Sequence, residues 1–173
     1  MLPKWTATRP RLTPRHIEQR IESAEAFFGR IDARVVHQGN RAFYSPDTDS
    51  ITLPPFAAFF TPVDYYSTRA HETGHWTAAV GRCNRELGKR FGENAYSMEE
   101  LIAELTAAFT CAHLGLSTEP RPDHAQYIAS RLRVLKADKR AIFTAASKAQ
   151  QAADYLIQQS EQTERTVTAE VAA

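Results

Sequence analysis

A chain of 173 residues, 43% hydrophobic and 24% charged, has the composition of a globular domain and the length for one core rather than two. Its formal net charge of +1 excludes both the broad basic field of a nucleic-acid binder and the acidic field of a DNA mimic. No apolar run approaches the roughly 20 residues that cross a bilayer, and prolines and arginines stand where a signal peptide would be apolar, so a cytoplasmic protein without membrane contact is expected.

Residues 1–12 read as an irregular lead-in whose basic residues are solvated. Thr13-Pro14 then reads as a helix start, with the threonine as cap and proline in the first turn. Ile17, Ile21, Ala24, Phe27 and Phe28 form an apolar helical stripe that ends at Gly29. Three short strand-like runs follow, at 34–38, 41–45 and 50–53, separated by Gly39-Asn40 and by Pro46-Asp47-Thr48-Asp49. Turn residues in both gaps predict a small antiparallel meander, and Pro54-Pro55 ends the third strand.

Thr61-Pro62-Val63-Asp64 opens another helix with a threonine cap and an acid in the first turn. The pattern carries it to about Val80. A loop over 88–95 leads to a third helix from Ser97 to Leu114, Pro122 begins a fourth, and Asp138 begins a fifth that ends near Gln159. The polar tail over 160–173 is expected to fray. The class is α+β, with one domain over 13–159 comprising an N-terminal helix, a small sheet and a helical remainder. Cys83 and Cys111 form no CxxC pair, fall in apolar segments expected to be helical, and read as buried, inert thiols.

The chemistry concentrates in His71-Glu72-Thr73-Gly74-His75, an HExxH motif inside a helix. Histidines four residues apart lie about 40° apart around the helix, so both imidazoles can reach one zinc ion. Glu72, rotated by about 100° from His71, leans over the ion's open side without ligating it. Zinc acidifies a water molecule, and a carboxylate beside it takes the proton as the water attacks a carbonyl. The competing reading is a pair of core histidines. Two imidazoles on an apolar stripe with Ala70, Trp76 and Ala78 would then need other hydrogen-bond partners, which a metal supplies directly.

A peptidase-type site takes three protein ligands, and no third histidine follows the motif closely. The next acidic cluster is Glu99-Glu100-Leu101-Ile102-Ala103-Glu104. Glu100 and Glu104 share a helix face, so Glu100 is assigned as ligand and Glu104 as the acceptor of a His71 N–H. Glu104 or Glu99 as the ligand stays open. So does a capping box in which Glu100 bonds back to Ser97. Tyr65 and Tyr66 precede the motif, share no face with it and read as packing residues. His16, His37, His113 and His124 show no ligand spacing. No glycine-rich phosphate loop and no basic-aromatic array for single strands is present.

These residues carry a resemblance. Ala42-Phe43-Tyr44, Pro46, Asp49, Ile51 and Leu53-Pro54, then Tyr65-Tyr66 and His71-Glu72 with Gly74-His75-Trp76, then Phe91-Gly92, Glu99-Glu100-Leu101-Ile102-Ala103-Glu104 and Asp154-Tyr155-Leu156 resemble the metallopeptidase domain of the ArdC and polyvalent-protein family. The match spans about residues 17–157. It implies a zincin-like fold with a glutamate as third ligand. It also implies carriage on a plasmid or other mobile genetic element, with an antirestriction role or one in establishment in a new host. The ArdC-like proteins place a single-stranded-DNA-binding domain before this one; only a short segment precedes the match here, so that function is expected to carry over only if the chain is a fragment of a longer protein.

Three functions follow as expectations. The first is a zinc metallopeptidase acting on a protein or peptide, such as a host restriction or defence protein. The second is a non-catalytic zinc-binding module that inhibits such a protein by contact. The third is single-strand binding through the basic N-terminal arm.

Overall fold

The structure, a computed structural model, describes residues 20–87, 94–116 and 140–171. In chain order it contains helix α1 (Glu22–Gly29), strands β1 (Arg34–His37), β2 (Phe43–Ser45) and β3 (Ser50–Leu53), a 3-10 turn at Phe56–Ala58, and helices α2 (Pro62–Trp76), α3 (Ala95–His113) and α4 (Ala141–Val171). The α+β class is as expected. The helix start at Thr13-Pro14 and the helix from Pro122 lie outside the described residues. Ile21 is extended, so α1 begins at Glu22 and buries Ala24, Phe27 and Phe28 against the sheet and α2. Phe28 stacks on Tyr66 with ring centroids 6.3 Å apart.

The sheet corrects the expected antiparallel meander. Its order is β1-β3-β2, with β3 parallel to β1 and antiparallel to β2. The register pairs Val35 with Ile51 on one side and Tyr44 with Ile51 on the other. Every residue of β3 is buried, whereas β1 and β2 are partly exposed. A strand buried on both faces, through Ile51 and Leu53 on one and Ser50 and Thr52 on the other, belongs between two others, so the chain leaves β1 through Gly39 (φ 64), lays β2 on the far edge and returns β3 to the centre. Asp49 closes the β2–β3 hairpin at φ 44, a conformation Asp tolerates better than most residues.

Helix α2 starts as its sequence dictates. The Thr61 hydroxyl accepts from the Asp64 amide at 3.0 Å, the Asp64 carboxylate accepts from the Thr61 amide at 3.1 Å, and Pro62 needs no partner. It ends at Trp76, four residues short of Val80. The Thr77 hydroxyl donates to the Gly74 carbonyl at 2.6 Å. The amides of Cys83 and Arg85 then reach back to the carbonyls of Thr77 and Ala78, both at 2.9 Å. With Gly81 at φ 90, residues 77–87 fold back over the helix end instead of prolonging it. Cys83 therefore lies in a turn rather than in a helix.

Helix α3 crosses α2 at Gly74. A β-carbon at Gly74 would stand 3.2 Å from Cα and O of Ala103 and 3.3 Å from Cβ of Thr106, so hydrogen is the side chain that permits this approach. Helix α4 covers α3 with a stripe of small residues, Ala141, Ala145, Ala149 and Ala152, followed by Leu156, all fully buried. It runs on to Val171 rather than ending near Gln159. Ser160 is buried, Thr163 donates to the Arg30 carbonyl at 3.2 Å, and Arg30 pairs with Glu164 at 2.7 Å. Those contacts hold the expected tail as helix against the end of α1. Among the described residues no helix is long and apolar enough to cross a membrane.

Gly74→Ala tests the crossing. Overpacking against the backbone of α3 costs about 1–3 kcal/mol, and the helix propensity of alanine returns about 1 kcal/mol. Urea denaturation of the metal-free protein should therefore show a net loss of up to about 2 kcal/mol, where an exposed helical Gly→Ala would stabilise.

Candidate metal centre

Helix α2 projects His71, Glu72 and His75 toward α3, which answers with Glu99, Glu100 and Glu104. The imidazole planes of His71 and His75 stand at 85°, with ring centroids 4.8 Å apart and Nε2 atoms 3.2 Å apart. Glu100 faces both. One carboxylate oxygen is 3.5 Å from Nε2 of His75 and the other is 3.7 Å from Nε2 of His71. A ligand atom from each of His71, His75 and Glu100 can be chosen so that all lie within 4.8 Å of one another. Their convergence is that of three groups around one ion, and an imidazole–imidazole–carboxylate set suits a divalent cation.

The remaining carboxylates meet the other face of each imidazole. Glu104 Oε2 is 3.1 Å from Nδ1 of His71, and Glu99 Oε1 is 3.3 Å from Nδ1 of His75. An Nδ1–H donated to a carboxylate turns Nε2 toward the centre, where an ion would take the place of its proton. The capping box is absent because α3 begins at Ala95, with Asn94 as its N-cap. Ser97 is already inside the helix, and Glu100 lies in its second turn, turned toward the histidines.

Glu72 is 7% exposed and accepts a hydrogen bond from the backbone amide of Tyr44. That amide is available because β2 is an edge strand. Burial raises the Glu72 pKa, and the nearby histidines and the Tyr44 amide only partly offset this. At Glu99 and Glu100 the balance is reversed. Burial again opposes ionisation, but hydrogen bonds from His75, joined at Glu99 by Arg85, lower both pKa values. Burial opposes charge on His75, yet its bonds to Glu100 and Glu99 push its pKa up to about 9. Carboxylates crowding two imidazoles favour a cation between them. The donor set therefore fits a divalent metal.

Two features of the surroundings have no sequence signal. Arg85, in the turn after α2, has a side chain only 1% exposed and pairs with Glu99 at 2.5 Å. Arg82 lies with its guanidinium carbon 4.1 Å above the Trp76 ring. It donates to both Asp49 carboxylate oxygens, at 3.0 and 2.6 Å, and to the Tyr44 hydroxyl at 3.1 Å. The Tyr44 hydroxyl donates in turn to Asp49 at 2.8 Å. This clamp ties the β2–β3 hairpin to the end of α2 and so holds the Tyr44 amide beside Glu72. Both arginines act through a chain reversal that residue patterns do not reveal.

Other residues singled out from sequence stand apart from the site. Tyr65 and Tyr66 are fully buried. Their hydroxyls reach His37 at 2.8 Å and Glu25 at 2.6 Å, in the core between α1 and the sheet. Cys111 is buried, and burial pushes its thiol pKa up to about 11, which leaves it unreactive. Cys83 is half-buried, and burial likewise raises its pKa. His113 packs beside Phe27. His16 and His124 lie outside the described residues.

The comparisons with known proteins agree with this geometry. The sequence profile of the zincin-like metallopeptidase family matches residues 22–148. The uncharacterized protein y4eC of Sinorhizobium fredii is 50% identical over 147 residues, which is 85% of this chain and 48% of y4eC. DNA primase TraC of Escherichia coli is 38% identical over 138 residues, 79% of this chain but 10% of the primase. The chain thus spans about half or less of the curated relatives it matches. Two crystal structures of the antirestriction protein ArdC from plasmid R388 superimpose on it. The metal-free form gives a TM-score of 0.73 at 40% identity, covering 83% of this chain and 52% of ArdC. The Mn(II)-bound form gives 0.71 at 41% identity, covering 82% and 53%. With its HExxH helix, its facing acidic helix and these relatives, the chain belongs to the zincin-like metallopeptidase family.

Proposed function

We propose that this chain is a zinc-dependent peptidase-type hydrolase in which His71, His75 and Glu100 hold the ion and Glu72 handles the proton. The observation that carries this reading is the juxtaposition of a buried, amide-anchored Glu72 with three convergent ligand groups. A zinc ion there would supply Lewis acidity toward a scissile carbonyl and toward the attacking water. Glu72 takes the proton of that water as its oxygen bonds to the carbonyl carbon, and returns a proton to the leaving amine as the C–N bond breaks. The Tyr44 amide fixes the carboxylate's orientation, and burial strips it of competing water. Glu104 and Glu99 hold the two imidazoles by their Nδ1 atoms.

The substrate in this reading is a protein or peptide. Similarity to ArdC of plasmid R388 supports a setting on a mobile genetic element and a cytoplasmic target such as a host restriction or defence protein, whose removal would protect the incoming element. The near-neutral charge gives no support to nucleic-acid binding through this domain.

Two measurements test the proposal. Mass spectrometry of protein purified without chelator or metal-affinity tag should find about one zinc per wild-type chain. Glu100→Ala should carry far less, and metal retained there at the wild-type level would remove Glu100 from the ligand set. In the second, Glu72→Gln should keep its zinc while peptide hydrolysis falls by about 10²–10⁴-fold, the range for loss of a general base. Hydrolysis persisting in Glu72→Gln would end the mechanism. Full protection against restriction by that variant would transfer the function to inhibition by contact.

A further inference from the structure

We propose that Arg85 is a positioning residue for the metal site, fixing the imidazole of His75 through Glu99 and the backbone that carries His75 through the Gly74 carbonyl. The inference rests on the reading of His71, His75 and Glu100 as ligands and adds to it the device that keeps one of them in place.

The two histidines differ in how their helix supports them. His71 lies well inside α2, whereas His75 is the next-to-last residue. The last carbonyls of a helix need partners from outside its regular ladder; here the amides of Thr77, Ala78 and Ala79 serve the carbonyls of Thr73, His75 and Trp76, and side chains serve that of Gly74. The Gly74 carbonyl, one residue before His75, receives an Arg85 Nη2–H at 2.7 Å and the Thr77 hydroxyl at 2.6 Å. Arg85 Nη1 donates to the same Thr77 hydroxyl at 2.6 Å. The other edge of the guanidinium grips Glu99, with Nε at 3.0 Å from one oxygen and Nη2 at 2.5 Å from the other. The oxygen taken by Nη2 is the one 3.3 Å from Nδ1 of His75. A single planar cation therefore holds both the main chain and the side chain of one ligand.

The chemistry explains why the cation is an arginine. Its rigid fork serves the carboxylate through two nitrogens while the carbonyl and the hydroxyl are served from the same plane. A lysine ammonium would reach one group or the other. The pairing also keeps Glu99 in its place. Adjacent to Glu100 in sequence, its carboxylate is held by Arg85 as an acceptor for His75 and kept from turning elsewhere. The guanidinium is buried, so solvent neither screens the pair nor replaces it.

The test measures zinc affinity, by competition with a chromophoric chelator, in wild type, Arg85→Gln, Arg85→Lys, Glu99→Gln and the Arg85→Gln/Glu99→Gln double variant. Thermal melting of each metal-free protein runs beside it, together with the imidazole ¹⁵N and N–H signals of His75 in the zinc-loaded form. Each single substitution should weaken zinc binding by about 10–100-fold, with Arg85→Lys giving no rescue. The double variant should be no weaker than the worse single, because the pair acts as one unit. The protected Nδ1–H signal of His75 should be lost in the variants. Glu99→Gln preserves the side chain's shape and decides the question if Arg85→Gln does not fold. Zinc affinities within about twofold of wild type, with only the melting temperature lowered, would reduce Arg85 to a structural tie and overturn the proposal. A wild type that binds no zinc would overturn it together with the ligand assignment, and the two failures are told apart by which protein shows them.

Discussion

At Gly74 a hydrogen atom stands where any other residue would place a carbon 3.2 Å from the backbone of Ala103. That close crossing of α2 and α3 sets the reach between everything the two helices carry. His71 lies one turn before Gly74 and His75 directly after it. Glu99 and Glu100 lie one turn before Ala103, with Glu104 directly after it. Side chains of these lengths meet at 3.1–3.7 Å because the helix axes are held this close. A methyl group at Gly74 would force α3 to give way by a few tenths of an ångström, a shift passed on to the contacts between the carboxylates and the imidazoles.

The centre is an electrostatic arrangement before it is a catalytic one. Each carboxylate brought from water to the interface of two helices is opposed by desolvation. Glu99 and Glu100 stay ionised readily because imidazole N–H groups, and for Glu99 the guanidinium of Arg85, face them. Glu72, held by one backbone amide beside the histidines, is left with burial as the dominant influence, and its proton affinity rises. One motif therefore presents imidazoles whose Nε2 atoms face inward, where an ion would take the place of their protons, and a carboxylate of enhanced basicity, a division of roles that the environment creates between neighbouring residues of one helix.

The rest of the fold keeps these groups still. Buried β3 holds the sheet together, and the edge strand β2 turns the Tyr44 amide toward Glu72. Arg82 binds the hairpin of β2 and β3 to the end of α2, stacked on Trp76 and paired with Asp49. Arg85 does the same for α3 through Glu99. Both arginines come from the reversal over residues 77–87, so a segment without regular structure joins the sheet, the HExxH helix and the acidic helix around one point. The alanine stripe of α4 closes the far side of α3 and buries it.

The amino-acid sequence by itself determined what depends on neighbours along the chain. The spacing of His71, Glu72 and His75 places them on one helix, and Thr61, Pro62 and Asp64 begin that helix through bonds that span three residues. The apolar periodicity gave the α+β class and the acidic helix of Glu99, Glu100 and Glu104. Tertiary structure decided the rest, because each remaining choice depends on distances between segments. The rotation of α3 against α2, not the spacing within α3, turns Glu100 toward the Nε2 atoms and Glu99 and Glu104 toward the Nδ1 atoms. The helix start at Ala95 removed the capping box that Ser97 and Glu100 could have formed. Burial of both faces of β3 put it in the middle of a mixed sheet, where turn residues alone suggested a meander. The roles of Arg82, Arg85 and the Tyr44 amide arise where the chain folds back on itself, and a hydrogen bond across 14 to 38 residues leaves no periodic trace in the sequence.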